Sequence, residues 1–364
     1  MRALLAGLAL AALPLAGRAD DAPDRTGGGS PPPNAGQGPS TAERAGDEAL
    51  ARGLAWLARQ QDVTDGSFPK LEAREWAPVG VTSLAALAFL AGGSSPGRGP
   101  YGAEVSRSIG YLLAHADLDS GSRHPGYIAV DGDPLSRTHG HGFATLALAQ
   151  VYGMSARPEE RLERVLVAAV RRIEAAQGAE GGWYYEPEAS ANHEGSVTVC
   201  LVQALRAARN AGIAVDAKVI HCAEDYVLRL RKEDGTFRYQ LDVERSSVAL
   251  TAAGVSTLNM AGRYDDAVIR ASIDAIWNLL ALRREEGHSP DYPEYERLYL
   301  AQALWQLADR SLFDRWFAET RTELVRQQRP DGSWSSLPYG NCYATAMNCL
   351  VLALPGGLLP IFQR

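Results

Sequence analysis

A short phrase recurs along this chain, and self-similarity at a fixed period restricts a fold more than any other sequence signal. Ala55-Trp56-Leu57-Ala58-Arg59-Gln60-Gln61 is followed by Asp65-Gly66-Ser67-Phe68. Near the other end, Glu323-Leu324-Val325-Arg326-Gln327-Gln328 is followed by Asp331-Gly332-Ser333-Trp334. Degenerate copies stand between them: Ala176-Gln177 before Gly181-Gly182-Trp183, and Leu228-Arg229-Leu230 before Asp234-Gly235-Thr236-Phe237. Stretches rich in Ala, Leu, Val and Thr recur in step with these turns. They cover residues 81–92, 143–153, 197–212, 248–262, 298–307 and 344–354, a period of about fifty that suits helical-repeat arrays. Gly92, Gly153, Gly212 and Gly262 close four of them, where a left-handed C-cap is expected.

Small and apolar nearly all round, these stretches must be helices buried on most faces. The segments ahead of the turns, residues 45–60, 162–177, 219–231 and 316–328, carry charge at helical spacing and are expected to form a solvated outer layer. Six buried helices inside six amphipathic ones make a double-layered ring. An open solenoid of the same repeat needs polar end-caps. The apolar terminus Leu358-Leu359-Pro360-Ile361-Phe362 is instead expected to dock on the body. The sequence therefore predicts an all-α fold, an (α/α)6 toroid of six helix-pair repeats over residues 41–364.

Ahead of the ring, Arg2, the apolar run 3–15 and Ala16-Gly17-Arg18-Ala19 read as a signal peptide over residues 1–19. The protein is accordingly expected to be exported to the periplasm, cell envelope or medium. The run is too short for a transmembrane helix, which needs about 20 apolar residues, and no later segment qualifies. Residues 20–40, with Gly27-Gly28-Gly29-Ser30-Pro31-Pro32-Pro33, have little to bury and are expected to be a disordered linker. A net charge of -7 without a basic run argues against a nucleic-acid partner. The four cysteines form no CxxC pair, so neither a zinc knuckle nor a redox motif is supported. Cys342 and Cys349, about 10 Å apart on one helix, are too distant to bridge. Cys200 and Cys222 fall on neighbouring helices where a bridge is open, although buried thiols are the simpler expectation.

The Gln-Gln-x-x-Asp-Gly-Ser-Trp turns between paired helices resemble the repeats of squalene cyclases and protein prenyltransferase β subunits, over nearly all of residues 41–364. Three stretches are similar to exported planctomycete-type proteins described as prenyltransferase/squalene oxidase repeat-containing, a group defined by its repeat rather than by a reaction. They are His139-Gly140-His141-Gly142-Phe143-Ala144-Thr145-Leu146, then Leu205-Arg206-Ala207-Ala208-Arg209-Asn210-Ala211-Gly212-Ile213, and Leu359-Pro360-Ile361-Phe362-Gln363-Arg364. The resemblance implies a terpenoid-cyclase-like toroid and, by name, a transferase or cyclase acting on an isoprenoid. The catalytic motifs of that family do not carry over. Asp117-Leu118-Asp119-Ser120 and Asp131-Gly132-Asp133-Pro134 lack the last Asp of the Asp-x-Asp-Asp acid of class II cyclases. Tyr264-Asp265-Asp266 opens an outer helix, where its charge complements the dipole. No Asp-x-Cys of the prenyltransferase zinc site occurs on the right helix, and no metal or other cofactor is expected.

The inner helices of such a ring run parallel, so their N-termini gather at one mouth of the cavity. Aligning the repeats places there Pro78 and Gly80, His139 and His141, Glu194 and Ser196, Arg245 and Ser247, Tyr295 and Arg297, and Asn341 and Tyr343. Free N–H groups at these termini favour an anionic ligand. The candidate ligand contacts are thus His139, His141, Glu194, Arg245, Tyr295, Arg297, Asn341 and Tyr343. Tyr184 joins them because it and Tyr185 recur in no other repeat. Glu194, His141 and Glu296 are the candidate catalytic groups. Glu296 belongs to the acidic, aromatic loop 288–296 (Asp291, Tyr292, Glu294, Tyr295), which replaces the Gly turn of the fifth repeat. Plainer roles stand beside these. Glu194 complements a helix dipole, Ser196 and Ser247 cap, the histidines serve as loop donors, and Phe68, Trp183, Phe237 and Trp334 pack the turns.

Three classes of function follow. First stands a binding or scaffold protein that holds a small molecule or an envelope partner at the cavity mouth. An isoprenoid enzyme comes second and predicts a deep apolar cavity. Third is a carbohydrate-active toroid, a glycosidase or polysaccharide lyase. Hydrolysis needs two carboxylates about 5 to 9.5 Å apart, for which Glu194 with Glu244, Asp291 or Glu296 is available. A lyase would use His141 with Arg245 or Arg297.

Overall fold

The computed structural model describes residues 40–363 apart from Glu75, Gly132, 134–136, 156–158, Tyr264, Asp265 and Pro338. The expected signal peptide and all but the last residue of the expected linker lie outside the described residues. Helices alternate along the chain: α1 (Thr41–Gln60), α2 (Pro78–Ala91), α3 (Gly102–Ala114), α4 (Arg137–Met154), α5 (Glu160–Ala175) and α6 (Gly195–Asn210). They continue as α7 (Ala217–Leu230), α8 (Val248–Met260), α9 (Ala267–Glu286), α10 (Pro293–Trp305), α11 (Arg310–Gln327) and α12 (Gly340–Ala353). A short antiparallel hairpin, β1 (Arg238–Gln240) and β2 (Val243–Ser246), precedes α8. No described helix is long and apolar enough to cross a membrane.

The even-numbered helices form the inner ring, each packed on the next, with α12 returning to α2. The odd-numbered helices stand outside, and α1 packs against both α11 and α12, which closes the outer layer. The chain is an (α/α)6 toroid. Composition explains the two layers. Every residue of α2 is buried, so this helix has no solvent side. α5 instead buries one stripe, Leu162, Val165, Leu166, Ala169, Val170 and Ile173, and turns Glu163, Arg164 and Arg171 outward.

The recurring turn is a clamp between neighbouring outer helices. Gly66, Gly126, Gly181, Gly235 and Gly332 adopt φ from 86 to 97°. A Cβ at any of them would fall 2.1 to 2.7 Å from a backbone oxygen of the next outer helix, at Arg107, Ala168, Cys222, Ala271 and Arg52 respectively. Only glycine permits both the conformation and the approach. The side-chain amides of Gln61, Gln177 and Gln328 donate to the carbonyl of the turn glycine and to a carbonyl of the same neighbouring helix. The backbone N–H groups of Trp183, Phe237 and Trp334 donate to Thr198, Thr251 and Thr345 on the inner helices. The turn of the sixth repeat, at Gly332, grips α1 and thereby shuts the ring.

Repeat five has no such turn. There α9 runs on to Glu286 and ends at Gly287 in the left-handed region, and Arg283 reaches across to Glu296 in a two-pronged ion pair at 2.7 and 2.8 Å.

Three expectations need correction. Gly212 and Gly262 take the left-handed cap, but Gly92 does not, because the turn falls one residue later at Gly93. Gly153 stays helical because α4 continues to Met154. All four thiols are free, as the simpler expectation had it, and the Cys200 thiol bears on the His139 carbonyl of α4, but Cys222 is exposed on α7 rather than buried. The apolar C-terminus docks as expected, with Leu359, Ile361 and Phe362 buried across the C-terminal ends of α4 and α10.

Candidate functional site

Which side of each inner helix faces the lumen is fixed by a hydrogen bond across the ring. Gln203 of α6 donates to Gln302 of α10 at 2.5 Å, although these helices are not neighbours. The threonines that receive the turns mark the opposite side. Residues two apart on a helix are rotated by about 200°, so only one member of each aligned pair points inward. On α10 the inward face carries Tyr295, Tyr299 and Gln302. On α4 it carries His139 and Phe143, on α6 Ser196 and Cys200, and on α12 Tyr343 and Met347.

His141 therefore faces away from the lumen. Its Nδ1 accepts the Ile128 N–H at 3.1 Å, the task performed in other repeats by Thr198, Thr251 and Thr345, and its ring packs on Tyr127. Burial pushes it down to about 3, so it stays neutral. Arg297 also turns outward, donating to Asn348 of α12 at 2.7 Å. Glu296 is engaged by Arg283. Glu294, buried nearby, accepts from the Ser336 hydroxyl, and burial raises its carboxyl above the ordinary range. Asn341 is buried at the start of α12, its N–H bonded to the Leu71 carbonyl. Glu244 is exposed and paired with Arg238 at 2.8 Å, and Asp291 is exposed. None of these is gathered with Glu194.

The residues that do gather form a half-buried cluster at the N-terminal mouth of the inner ring. Glu194 caps α6: its carboxylate accepts from the N–H groups of Ser196 and Val197 at 2.8 and 2.5 Å and from the Ser196 hydroxyl at 2.8 Å. It is fully buried, and burial pushes it up to about 7 against the pull of these hydrogen bonds. His139 Nε2 lies 3.2 Å from the Ser196 oxygen, and burial pushes this histidine down to about 4. The order is His139–Ser196–Glu194. The carboxylate touches the serine rather than the histidine, which is not the arrangement of a hydrolase triad.

Tyrosines surround this chain. The Tyr185 and Tyr239 hydroxyls are 2.7 Å apart, Tyr184 meets Tyr185 edge-on, and Tyr185 flanks the His139 ring. Arg245, exposed on β2, lies 5.4 Å over the ring of Tyr239. On α10, Tyr295 and Tyr299 pack with ring centroids 4.5 Å apart. Both hydroxyls are buried with no hydrogen-bond partner. Helical side chains lean toward the N-terminus, which aims these hydroxyls at the mouth. A buried hydroxyl left unsatisfied costs about 1–3 kcal/mol. Burial drives both well above the ordinary phenol range, so they remain protonated.

Phe143, Cys200, Tyr299 and Met347 are all buried further along the inner helices, and the Gln203–Gln302 bridge spans the ring there. Two hollows lie elsewhere. One of about 430 Å³ is on the outer face of α5 around Glu163, Arg164 and Val167. The other, of about 330 Å³, lies around Arg206, His221 and Glu224. Among the described residues no group of three His, Cys, Asp or Glu side chains is placed to hold a metal ion. Tyr239 and Tyr299 are the contributors not anticipated. Tyr299 follows Tyr295 by one helical turn, a spacing that marks a shared face; Tyr239 sits on a hairpin outside the repeat and gave no signal.

No family model matches the sequence, and no curated protein matches it. Solved structures do. A type II terpene cyclase from Scytonema, in complex with its product merosterolic acid A, superposes with a TM-score of 0.57 at 15% identity, over 88% of this chain and 99% of that one. The α-1,6-mannanase of Salegentibacter gives 0.61 at 9% identity over 86% and 99%. Cellobiose 2-epimerase from Bacillus thermoamylovorans gives 0.58 at 11% over 85% and 99%. What they share with this chain is the fold. All are α/α toroids.

Proposed function

We propose that this is an exported toroid that binds a small polar ligand at the N-terminal mouth of its inner ring. One observation carries the reading. The half-buried His139, Ser196, Tyr184, Tyr185 and Tyr239 gather polar groups at one mouth, close to the buried Tyr295 and Tyr299 hydroxyls, which have no hydrogen-bond partner. A few convergent polar groups are what orients a small ligand in a site. Export rests on the signal-like residues 1–19. An isoprenoid cyclase or transferase is less well supported, because a long apolar chain needs a deep cavity, and here Phe143, Tyr299 and the Gln203–Gln302 bridge occupy that space.

A carbohydrate-active enzyme is the second reading. It would rest on Glu194, but this carboxylate is buried as the α6 cap and no second carboxylate is gathered with it, so this reading stands behind the first. Native mass spectrometry of the protein purified from the cell envelope tests the binding reading. The wild type should carry a small molecule that Tyr295→Phe and Glu194→Gln each deplete at least fivefold. Three identical ligand-free spectra would overturn it.

A further inference from the structure

The opposite mouth of the ring, at the C-terminal ends of the inner helices, is covered by the chain's own segment after α12. That helix passes into one 3-10 turn, Leu354–Gly356, and a second follows at Pro360–Phe362. Between them Leu358 comes so near the end of α2 that a Cβ on Gly93 would lie 3.6 Å from it. The Ile361 N–H then donates to the Gln150 side chain of α4, and the Phe362 carbonyl accepts from the Gln306 side chain at the end of α10. α4 and α10 stand opposite one another in the ring, so the segment crosses the mouth from side to side. We infer that residues 358–363 are a hinged plug, which closes this mouth and lifts as a unit while the ring beneath stays folded.

The way the segment is held supports this. Its backbone bonds are its own: Gly357 donates to Leu354, Phe362 to Leu359 and Gln363 to Pro360. Among the described residues no backbone–backbone hydrogen bond joins it to the ring. The bonds through Gln150, Gln306 and Trp305 measure 3.4, 3.5 and 3.4 Å, beyond the usual range of about 2.7–3.2 Å. Lifting therefore breaks no backbone hydrogen bond of an inner helix. What seats the plug is the burial of Leu359, Ile361 and Phe362. The approach to it is exposed over residues 355–358 and free of crowding. A Cβ at Gly356 would meet nothing within 4 Å, and Gly357 turns the chain at a φ of 66°. Beneath the plug lie Gln150 and Gln306, and one turn deeper Gln203, Ser256 and Gln302, all buried. The Gln302 Nε2 has no hydrogen-bond partner there. An apolar cover offers such amides nothing, whereas water entering an open mouth would bond to them. Closure by apolar contact is thus opposed by the groups it buries.

Thiol labelling of the full chain reads the opening. In a Cys222→Ser background, which lacks the exposed native thiol, the thiol introduced by Ile361→Cys should react with a maleimide about 100-fold or more faster than Cys200, Cys342 and Cys349. Urea below the unfolding midpoint should leave that rate unchanged. A rate no faster than the three buried thiols, or one that climbs with urea as theirs does, would overturn the inference. Hydrogen exchange checks the unaltered protein: the Phe362 and Gln363 amides should exchange independently of urea, while residues 148–151 of α4 follow global unfolding. Urea-dependent exchange in both places would show that the segment opens only with the ring. Ile361→Glu with Phe362→Glu should unseat the plug, keeping the helical circular dichroism and a cooperative urea transition while gaining affinity for an apolar dye. Loss of the helical signal in that variant would make the segment part of the core and sink the idea of a plug.

Discussion

Repeats five and six solve the same problem differently. Both must join an outer helix to an inner one and hold the ring together. Repeat six does so with the glycine turn, in which Gly332 lies against the Arg52 carbonyl, Gln328 bonds to both sides and Trp334 is buried beneath. Repeat five has no clamp. It relies on charge, with Arg283 of α9 gripping Glu296 of α10. The turn that recurs in sequence is thus an architectural device. The chemically distinctive side chains, Tyr295 and Tyr299, lie in the repeat released from it.

That contrast can be broken at single residues. Gly332→Ala should have the largest effect, about 3 kcal/mol or more, because the new Cβ meets backbone 2.7 Å away at a φ of 97°. Gly287→Ala in repeat five meets nothing within 4 Å at a φ of 68° and should cost only about 1 kcal/mol. Urea unfolding of the two variants compares them, and equal losses would mean that the clamp is not what holds the ring. Arg283→Ala should cost about 2 kcal/mol, since it strands a mostly buried carboxylate at Glu296.

The smallest effect belongs to His141→Thr. Restoring the residue found at the equivalent position in three other repeats should change stability by under about 1 kcal/mol at pH 8. Its signature is in acid. Burial depresses His141 to about 3 in the folded protein, so its contribution is intact above its unfolded value of 6.5 and is lost as pH falls toward 3. The wild type should lose stability faster than His141→Thr between pH 6.5 and 4. Parallel urea midpoints across that range would show that His141 is not held neutral.

The ring itself was legible because its period is written in glycine, glutamine and tryptophan, residues whose turn chemistry is local. The six buried stretches matched α2, α4, α6, α8, α10 and α12 to within a few residues, except that α4 begins six residues earlier, at Arg137, and α10 five, at Pro293. α3 and α9 were harder to place. The turn after α3 carries Tyr127 and Ile128 in place of the Trp or Phe signature, and α9 has no turn after it. The candidate site was legible only in part. Alignment brings i and i+2 to the same height, but a helix separates them by about 200°. His139 and Tyr295 consequently enter the lumen, and His141 and Arg297 leave it. The rotation depends on which residue meets the turn, and that contact joins segments 11 to 15 residues apart.

Closure through Gly332 and Gln328 also changes how the molecule opens. Gln328 bonds to the Ala49 carbonyl, a partner 279 positions away in sequence. In a linear array the terminal repeats have one neighbour and fray first. Here the first and last repeats brace one another, so no repeat is terminal. Amide hydrogen exchange in the inner helices should accordingly be slow and even from α2 to α12, with opening as a single cooperative event rather than progressive unravelling from an end.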